Sequence, residues 1–421
     1  MSDIRIVPSS YLPHRFEIPS SKSHTMRALI FSLMAKGKSI IKNPLMSPDT
    51  FSMLSIIKSF GAKVALYSDS IEIIGVGGKL KVPDDVLHVG NSGIILRFMG
   101  ALSALLDSNV IFTGDASIRH RRVVLPLLSG LKQMGAVAES MQQNGLAPIL
   151  IKGPIVATKN VEIDGEDSQP VSALLIASSF VKGKTHFSIR NPGEKPWVEM
   201  TLSWMKSLGI RLESDGFSSY TSFGSASLEG FYRKIGGDFS SAAYPAAAAL
   251  ILKREVFLDN LFLDDVQGDK KFFTLLQEMG AVIEMHPSFV YIDGRKSEIR
   301  GKKMDINDCI DALPILAVLG CFAEGELEVT GAKMARNKES DRISSIGREL
   351  RKMGAFFEEK EDGFVVKQSK LFGSELFSHE DHRLALSLSL AALGASGESI
   401  LKNVDCVQKS YLSFFSEMGF I

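Results

Sequence analysis

GLKQMGAVA, residues 130–138, holds a helix end, a glycine and a strand start within nine residues. The same order recurs as IIKSFGAKV (56–64), WMKSLGIRL (204–212), LLQEMGAVI (275–283), ELRKMGAFF (349–357) and FSEMGFI (415–421). The glycines are Gly61, Gly135, Gly209, Gly280, Gly354 and Gly419, roughly 65–75 residues apart. Each suits the position just past a helix, where a left-handed backbone makes a β-carbon costly. A second signature alternates with the first: an apolar helix ends and a strand begins. It reads MAKGKSIIKN (34–43), LLDSNVIFTG (105–114), FVKGKTHFSI (180–189), ILKREVFLDN (251–260), FAEGELEVTG (322–331) and GASGESILKN (394–403).

The segments leading into that second signature, 26–35, 95–106, 172–180, 244–252, 312–323 and 384–395, are apolar on nearly every side. A helix that is apolar all round is buried rather than amphipathic. Each unit therefore holds one buried helix, one amphipathic helix ending at the glycine, and several short strands. The expected fold class is α/β: six similar units, three in each of two domains, with buried helices inside and sheets outside. Chance likeness within an ordinary α/β protein does not account for six copies of both signatures in alternating order.

Length and composition agree. The chain has 421 residues, 45% hydrophobic and 23% charged, which suits two or three globular domains. Lys plus Arg and Asp plus Glu number 48 each, so global charge suggests neither a nucleic-acid nor a membrane partner. Three cysteines, Cys309, Cys321 and Cys406, form no CxxC and have no close histidine, which suits reduced thiols better than a disulfide framework or structural zinc. MSDIRIVPSS does not read as a secretory leader, and the apolar runs fall short of a bilayer span. The expected location is the cytoplasm.

The chemistry is expected where the six buried helices begin. Those segments are PSSKSHTMR (19–27), VGNSGIILR (89–97), GEDSQPVS (165–172), GGDFSSA (236–242), NDCIDALP (307–314) and HEDHR (379–383). Helix capping explains Asp238, Ser240 and Ser241. It does not explain Lys22, Arg27, Arg97 or Arg383, because cations are disfavoured at the positive end of a helix. They make sense if an anion is shared between the side chains and the free N–H groups. One such cation is unremarkable as a group reaching solvent; the set points to a small, highly anionic ligand carrying phosphate and carboxylate. RHRR (119–122) and NKESDR (337–342) add further basic residues, each ordinary as a solvated loop when taken alone.

Other motifs fail on context. Gly37-Lys38-Ser39 and Gly183-Lys184-Thr185 lack the first glycine of a phosphate-binding loop and lead into strands. Gly75-Val76-Gly77-Gly78 opens no helix, so it is no dinucleotide fingerprint. His24, His120, His379 and His382 show no metal-ligand spacing, and His382 reads as structural.

The strings PSSKSHTMRAL, GNSGIILR, TGDASIRHR, DSQPVSALL, GGDFSSAA, DALPILAVL, NKESDRI, DHRLALSL and KSYLSFF resemble, in order, the motifs of the 5-enolpyruvylshikimate-3-phosphate synthases, in the enolpyruvyl transferase family. The resemblance covers essentially the whole chain. It implies an inside-out α/β fold whose domains are discontinuous, 20–233 against 1–19 plus 234–421, with the active site in the cleft between them. The implied reaction moves the enolpyruvyl group of phosphoenolpyruvate to the 5-hydroxyl of shikimate 3-phosphate through a tetrahedral intermediate, with no metal and no cofactor. A monomer is implied.

Carried over by motif, Lys22, Gly93, Arg121, Gln169, Arg342, Arg383 and Lys409 meet phosphoenolpyruvate. Lys22, Ser23, Arg27, Ser168, Gln169, Asp311 and Lys338 meet shikimate 3-phosphate. Asp311 is the implied base, and Glu339, helped by Lys22, the implied proton donor. Lys338 and Arg342 flank Glu339 in sequence and should hold it as a carboxylate, which conflicts with that role. The chain departs from the pattern at Asp167, Glu194, Trp197, Phe98, Arg122, Met334 and Ala335. Asp167 is expected to turn away from the substrate phosphate, and Glu194 stands where a phosphate-binding serine is common.

The alternatives are the sister UDP-N-acetylglucosamine enolpyruvyl transferase, an RNA 3′-phosphate cyclase, and a non-catalytic anion-binding protein on the same scaffold. The first usually carries a cysteine in the loop that here reads TGDASIRHR. The second would need a reactive histidine and a more basic surface. The third needs the cations but not both carboxylates.

Overall fold

The computed structural model describes residues 2–420. The chain divides into two compact units, Ser21–Ile235 and Met1–Ser20 with Gly236–Ile421.

In Ser21–Ile235 three four-stranded sheets share one plan. The strand following a buried helix pairs antiparallel with a hairpin on one side and parallel with a short strand on the other. Thus Asn109–Thr113 pairs with Ile149–Lys152 and with Leu87–His88, and Lys182–Arg190 pairs with Ser219–Gly224 and with Val161–Asp164. In the first repeat the parallel strand comes from the far end of the unit: Tyr232–Lys234 lies beside Lys36–Lys42. The third repeat is thereby tied back to the first.

Met1–Ser20 with Gly236–Ile421 repeats the plan. Glu255–Asp259 takes its parallel neighbour, Arg15–Glu17, from the start of the chain. Glu326–Thr330 takes Lys303–Asp305. The last sheet has three strands: Ser399–Lys402 lies between parallel Glu375–Phe377 and antiparallel Ile4–Ile6. The antiparallel place that a hairpin fills in the other sheets is here taken by the first strand of the chain.

Six buried helices fill the two units: Lys22–Met34, Gly93–Ser103 and Ser168–Ser178 in one, Phe239–Leu252, Leu313–Phe322 and His382–Leu393 in the other. All twelve residues of His382–Leu393 are buried. The three helices of the second unit pack on one another. The six repeat glycines all sit at φ between +69° and +105°, the backbone that the sequence pattern requires of them.

The helices begin two to five residues upstream of five of the six apolar runs. Ser21, Asp167, Asp238 and Asp381 each accept a backbone N–H of the first turn through their side chains, so helix geometry starts before apolar residues do. Lys22, Gly93, Ser168, Gln169 and Arg383 therefore stand in first turns. The exception is residues 307–314: Pro314 fixes the helix start at Leu313, and Asp311 lies in the preceding 3-10 turn Asn307–Ala312. Among the described residues no helix is long and apolar enough to cross a membrane.

Candidate active site

Arg342 opens the helix Arg342–Lys352 and is 1% exposed. Its Nη1 donates to Asp311 at 2.6 Å, its Nη2 to Glu339 at 2.9 Å and its Nε to Asp381 at 2.8 Å. Asp381 also caps the helix His382–Leu393 through Arg383 N, at 2.9 Å, and accepts from the Ser340 hydroxyl at 3.1 Å. Two further cations extend the network. Arg383 donates to the second oxygen of Asp311 at 3.0 Å, and Lys409 to the second oxygen of Glu339 at 2.7 Å. One guanidinium thus joins three carboxylates, and two of these each hold another cation at their far oxygen. Such charge-assisted bonds are short and directional.

Burial pushes the Asp311 carboxyl up, but Arg383, Arg342 and Lys338 outweigh it and hold the group well below the usual carboxylate range. The opposite holds for Asp269 in the same unit. Burial first, then the Asp311 charge, push it up to about 7, and the Ser240 hydroxyl hydrogen-bonds it. His382 is buried, with Nδ1 3.7 Å from Asp381.

The unit Ser21–Ile235 gathers a second set. Arg97 is 4% exposed and pairs with Asp167 at 2.8 Å. It also donates to Gly93 O and Gln169 Oε1, both at 3.2 Å, and to Val123 O at 2.9 Å. Asp167 is turned toward a cation: one oxygen caps Gln169 N at 2.9 Å and the other pairs with Arg97. Lys22 Nζ lies 3.8 Å from buried Asp49. Arg122 is buried, and Arg121 is half-buried just past the short helix Ala116–His120.

Arg27 differs from Arg97, Arg342 and Arg383. It is 3% exposed, and its hydrogen bonds go to Thr201 Oγ1 at 3.0 Å, Ser23 O at 3.2 Å and Trp197 O at 2.9 Å. All three acceptors are neutral. Burial pushes its pKa down with no carboxylate to offset it. A buried cation held by neutral groups, here with its guanidinium also over the Phe98 ring, favours an incoming anion.

The residues expected to act together thus fall into two groups by unit. Asp311, Lys338, Glu339, Arg342, Arg383 and Lys409 lie in one, where all but Lys338 are joined by the bonds described and Lys338 acts on Asp311 through its charge. Lys22, Ser23, Arg27, Gly93, Arg121, Ser168 and Gln169 lie in the other. Sequence reading missed two participants and one pairing. Asp381 carries only an N-cap signal in the string HEDHR, yet it is bonded to Arg342. Asp49 sits opposite Lys22, and nothing in its own segment marks it. Lys409, not only sequence-adjacent Lys338 and Arg342, shapes the surroundings of Glu339.

The family model described as EPSP synthase (3-phosphoshikimate 1-carboxyvinyltransferase) matches residues 6–418. A 3-phosphoshikimate 1-carboxyvinyltransferase from Chlamydia caviae is 41% identical over 417 residues, 98% of this chain and 92% of the relative. One from Acetivibrio thermocellus is 41% identical over 405 residues, 96% and 95% of the two chains. Among solved structures, EPSP synthase from Acinetobacter baumannii superposes with a TM-score of 0.81 at 26% identity, covering 99% of this chain and 97% of that one. The enolpyruvyl transferase NikO from Streptomyces tendae shares the fold, with a TM-score of 0.80 at 17% identity, covering 99% of this chain and 96% of its own. A match across nearly the whole length, together with relatives at this identity, makes the chain a member of the EPSP synthase family.

Proposed function

We propose that this chain transfers the enolpyruvyl group of phosphoenolpyruvate to the 5-hydroxyl of shikimate 3-phosphate, releasing inorganic phosphate, as a cytoplasmic monomer. The observation that carries the reading is Arg342, whose buried guanidinium bridges Asp311 and Glu339. A base and an acid for one addition step are thereby held on opposite ends of a single cation. Residues of both units serve one substrate pair in this reading.

Asp311 takes the proton of the attacking hydroxyl as its oxygen bonds to C2 of phosphoenolpyruvate. The methylene carbon accepts a proton and becomes a methyl, which gives the tetrahedral intermediate. Loss of a methyl proton and departure of phosphate restore the vinyl group. In the unliganded enzyme Asp311 is a poor base, because Arg383 and Arg342 stabilise its charged form. Substrate anions that engage those arginines draw positive charge away from Asp311 and raise its basicity at the moment it is needed. Glu339, gripped by Arg342 and Lys409, is a carboxylate at rest. It serves as a relay, passing a proton from the Lys409 ammonium, with Lys22 assisting from the other unit. Lys22, Arg121, Arg342, Arg383 and Lys409 neutralise phosphoenolpyruvate, with Gly93 and Gln169 shaping its seat. Ser23, Arg27, Ser168, Gln169 and Lys338 hold the acceptor. Cation clamps of this kind supply charge stabilisation without a metal.

The sister reaction on UDP-N-acetylglucosamine is not favoured. Burial pushes the thiols of Cys309, Cys321 and Cys406 up, the last two to about 12, opposite to what a reactive cysteine needs.

Two substitutions probe the anion seats. Arg27→Met is expected to raise KM for shikimate 3-phosphate by roughly 10- to 100-fold, the worth of a charged hydrogen-bonding contact. The melting temperature without substrates should move little, because no carboxylate is left behind. Steady-state kinetics and thermal melts read the two effects separately. Gly93→Ala places a β-carbon 2.7 Å from Arg97 Nη1. The guanidinium must shift off Gly93 O and Gln169, so KM for phosphoenolpyruvate should rise by roughly tenfold. Acceptor KM measured in parallel should change less.

The route itself is tested in D2O. Addition and elimination pass through a methyl group, so product formed there carries deuterium on its vinyl carbon. Undeuterated product would mean direct displacement and would remove the proton-transfer roles given to Asp311 and Glu339.

A further inference from the structure

Glu194 is a buried carboxylate in an unusual place. It is 1% exposed, precedes the helix Lys195–Ser207, and holds a left-handed backbone at φ +44°, a conformation that non-glycine residues rarely adopt. One of its oxygens, Oε2, accepts from both Ser168 N at 3.3 Å and Ser168 Oγ at 2.9 Å. Ser168 opens the buried helix Ser168–Ser178, so these are donors of a helix N-terminus that favours an anion. The anion found on them belongs to the chain itself. Arg97, a buried cation of the same unit, is engaged by Asp167 at 2.8 Å. Glu194 and Asp167 place two carboxylates at this corner, among the charges acting on Arg97.

We propose that Glu194 sets the affinity for the acceptor: its carboxylate occupies the donors that the acceptor's phosphate monoester takes, and binding requires it to give them up. The proposal rests on the assignment of Ser168 to the acceptor seat. Phosphate and carboxylate compete for the same N–H and hydroxyl, and a dianion beside a retained buried carboxylate is strongly disfavoured. Glu194 thereby makes the seat weaker for a phosphate than a neutral side chain would. It is a specificity-determining residue, not a catalytic one.

Glu194→Gln keeps size and backbone while removing the charge, and Glu194→Gly also relieves the left-handed φ. KM for shikimate 3-phosphate is expected to fall by about tenfold in both, the worth of one charged hydrogen bond. The fall should lie in acceptor KM rather than in kcat, with KM for phosphoenolpyruvate unmoved. A structural role would instead disturb both substrates or the melting temperature. Unchanged or raised acceptor KM in Glu194→Gln would overturn the proposal. Ser168→Ala separates the two levels of the argument. If it raises acceptor KM while Glu194→Gln has no effect, the seat stands and the competition fails. If Ser168→Ala also leaves acceptor KM unmoved, the seat assignment has failed, and the proposal with it.

Discussion

Arg342→Ala is expected to lower folding stability by about 3–5 kcal/mol and to abolish measurable turnover. The stability loss follows from what remains behind. Asp311, Glu339 and Asp381 each donate no hydrogen bond of their own as carboxylates, and each has Arg342 as a partner at 2.9 Å or less. Without the guanidinium, Arg383 still holds Asp311 and Lys409 still holds Glu339, but each carboxylate has lost a partner. Asp311 in particular loses one of the charges that hold it well below the usual carboxylate range. The stability that this depressed carboxyl contributes is present above its unfolded value and lost as pH falls through the folded one. The deficit relative to the parent protein should therefore be larger at pH 7 than at pH 3. Arg342→Lys keeps the charge but not the three-way fork, and should fall between the two. Denaturant melts at both pH values check this. A deficit of the same size at both would show that Arg342 is not what compensates these carboxylates.

Asp311→Asn is expected to cut kcat by about 10²- to 10⁴-fold with smaller changes in either KM. Asparagine can still accept from Arg342 or Arg383 through its amide oxygen, so the fold should persist, and a circular dichroism spectrum checks that it does. What asparagine cannot do is take a proton. Rate as a function of pH gives the sharper readout. The parent enzyme should lose activity toward acid as the liganded Asp311 protonates, and the residual activity of Asp311→Asn should lack that limb. A variant with kcat within threefold of the parent would remove Asp311 from the role of base.

The repeat was the most legible part of the sequence, for a physical reason. A residue that must adopt positive φ after a helix is nearly always glycine, and an apolar run with no polar face has to be buried. Both signals are local, so six copies can be seen without knowing how they pack. The crowding of charged residues at helix starts was legible for the same reason: cations are out of place there unless an anion is shared. Pairing was not legible. Arg342 meets Asp381 across 39 residues, Lys409 meets Glu339 across 70, and Ser168 meets Glu194 across 26. Nothing in the string NKESDR says that Lys409 will take one oxygen of Glu339. Nor does the sequence distinguish Arg27 from Arg97. Both are basic residues near the start of a buried helix, yet one is paired with Asp167 and the other meets only neutral acceptors. That difference exists only once tertiary contacts are fixed, and it bears directly on which cation is left to receive a substrate.

What the enzyme does with phosphoenolpyruvate is the most direct test of its reaction. Phosphorus NMR of the purified chain, in EDTA, follows the phosphoenolpyruvate and inorganic phosphate signals with shikimate 3-phosphate or UDP-N-acetylglucosamine as acceptor. The expected result is one phosphate released per shikimate 3-phosphate consumed and no change with the nucleotide sugar. Release with the nucleotide sugar, or with neither acceptor, would contradict it.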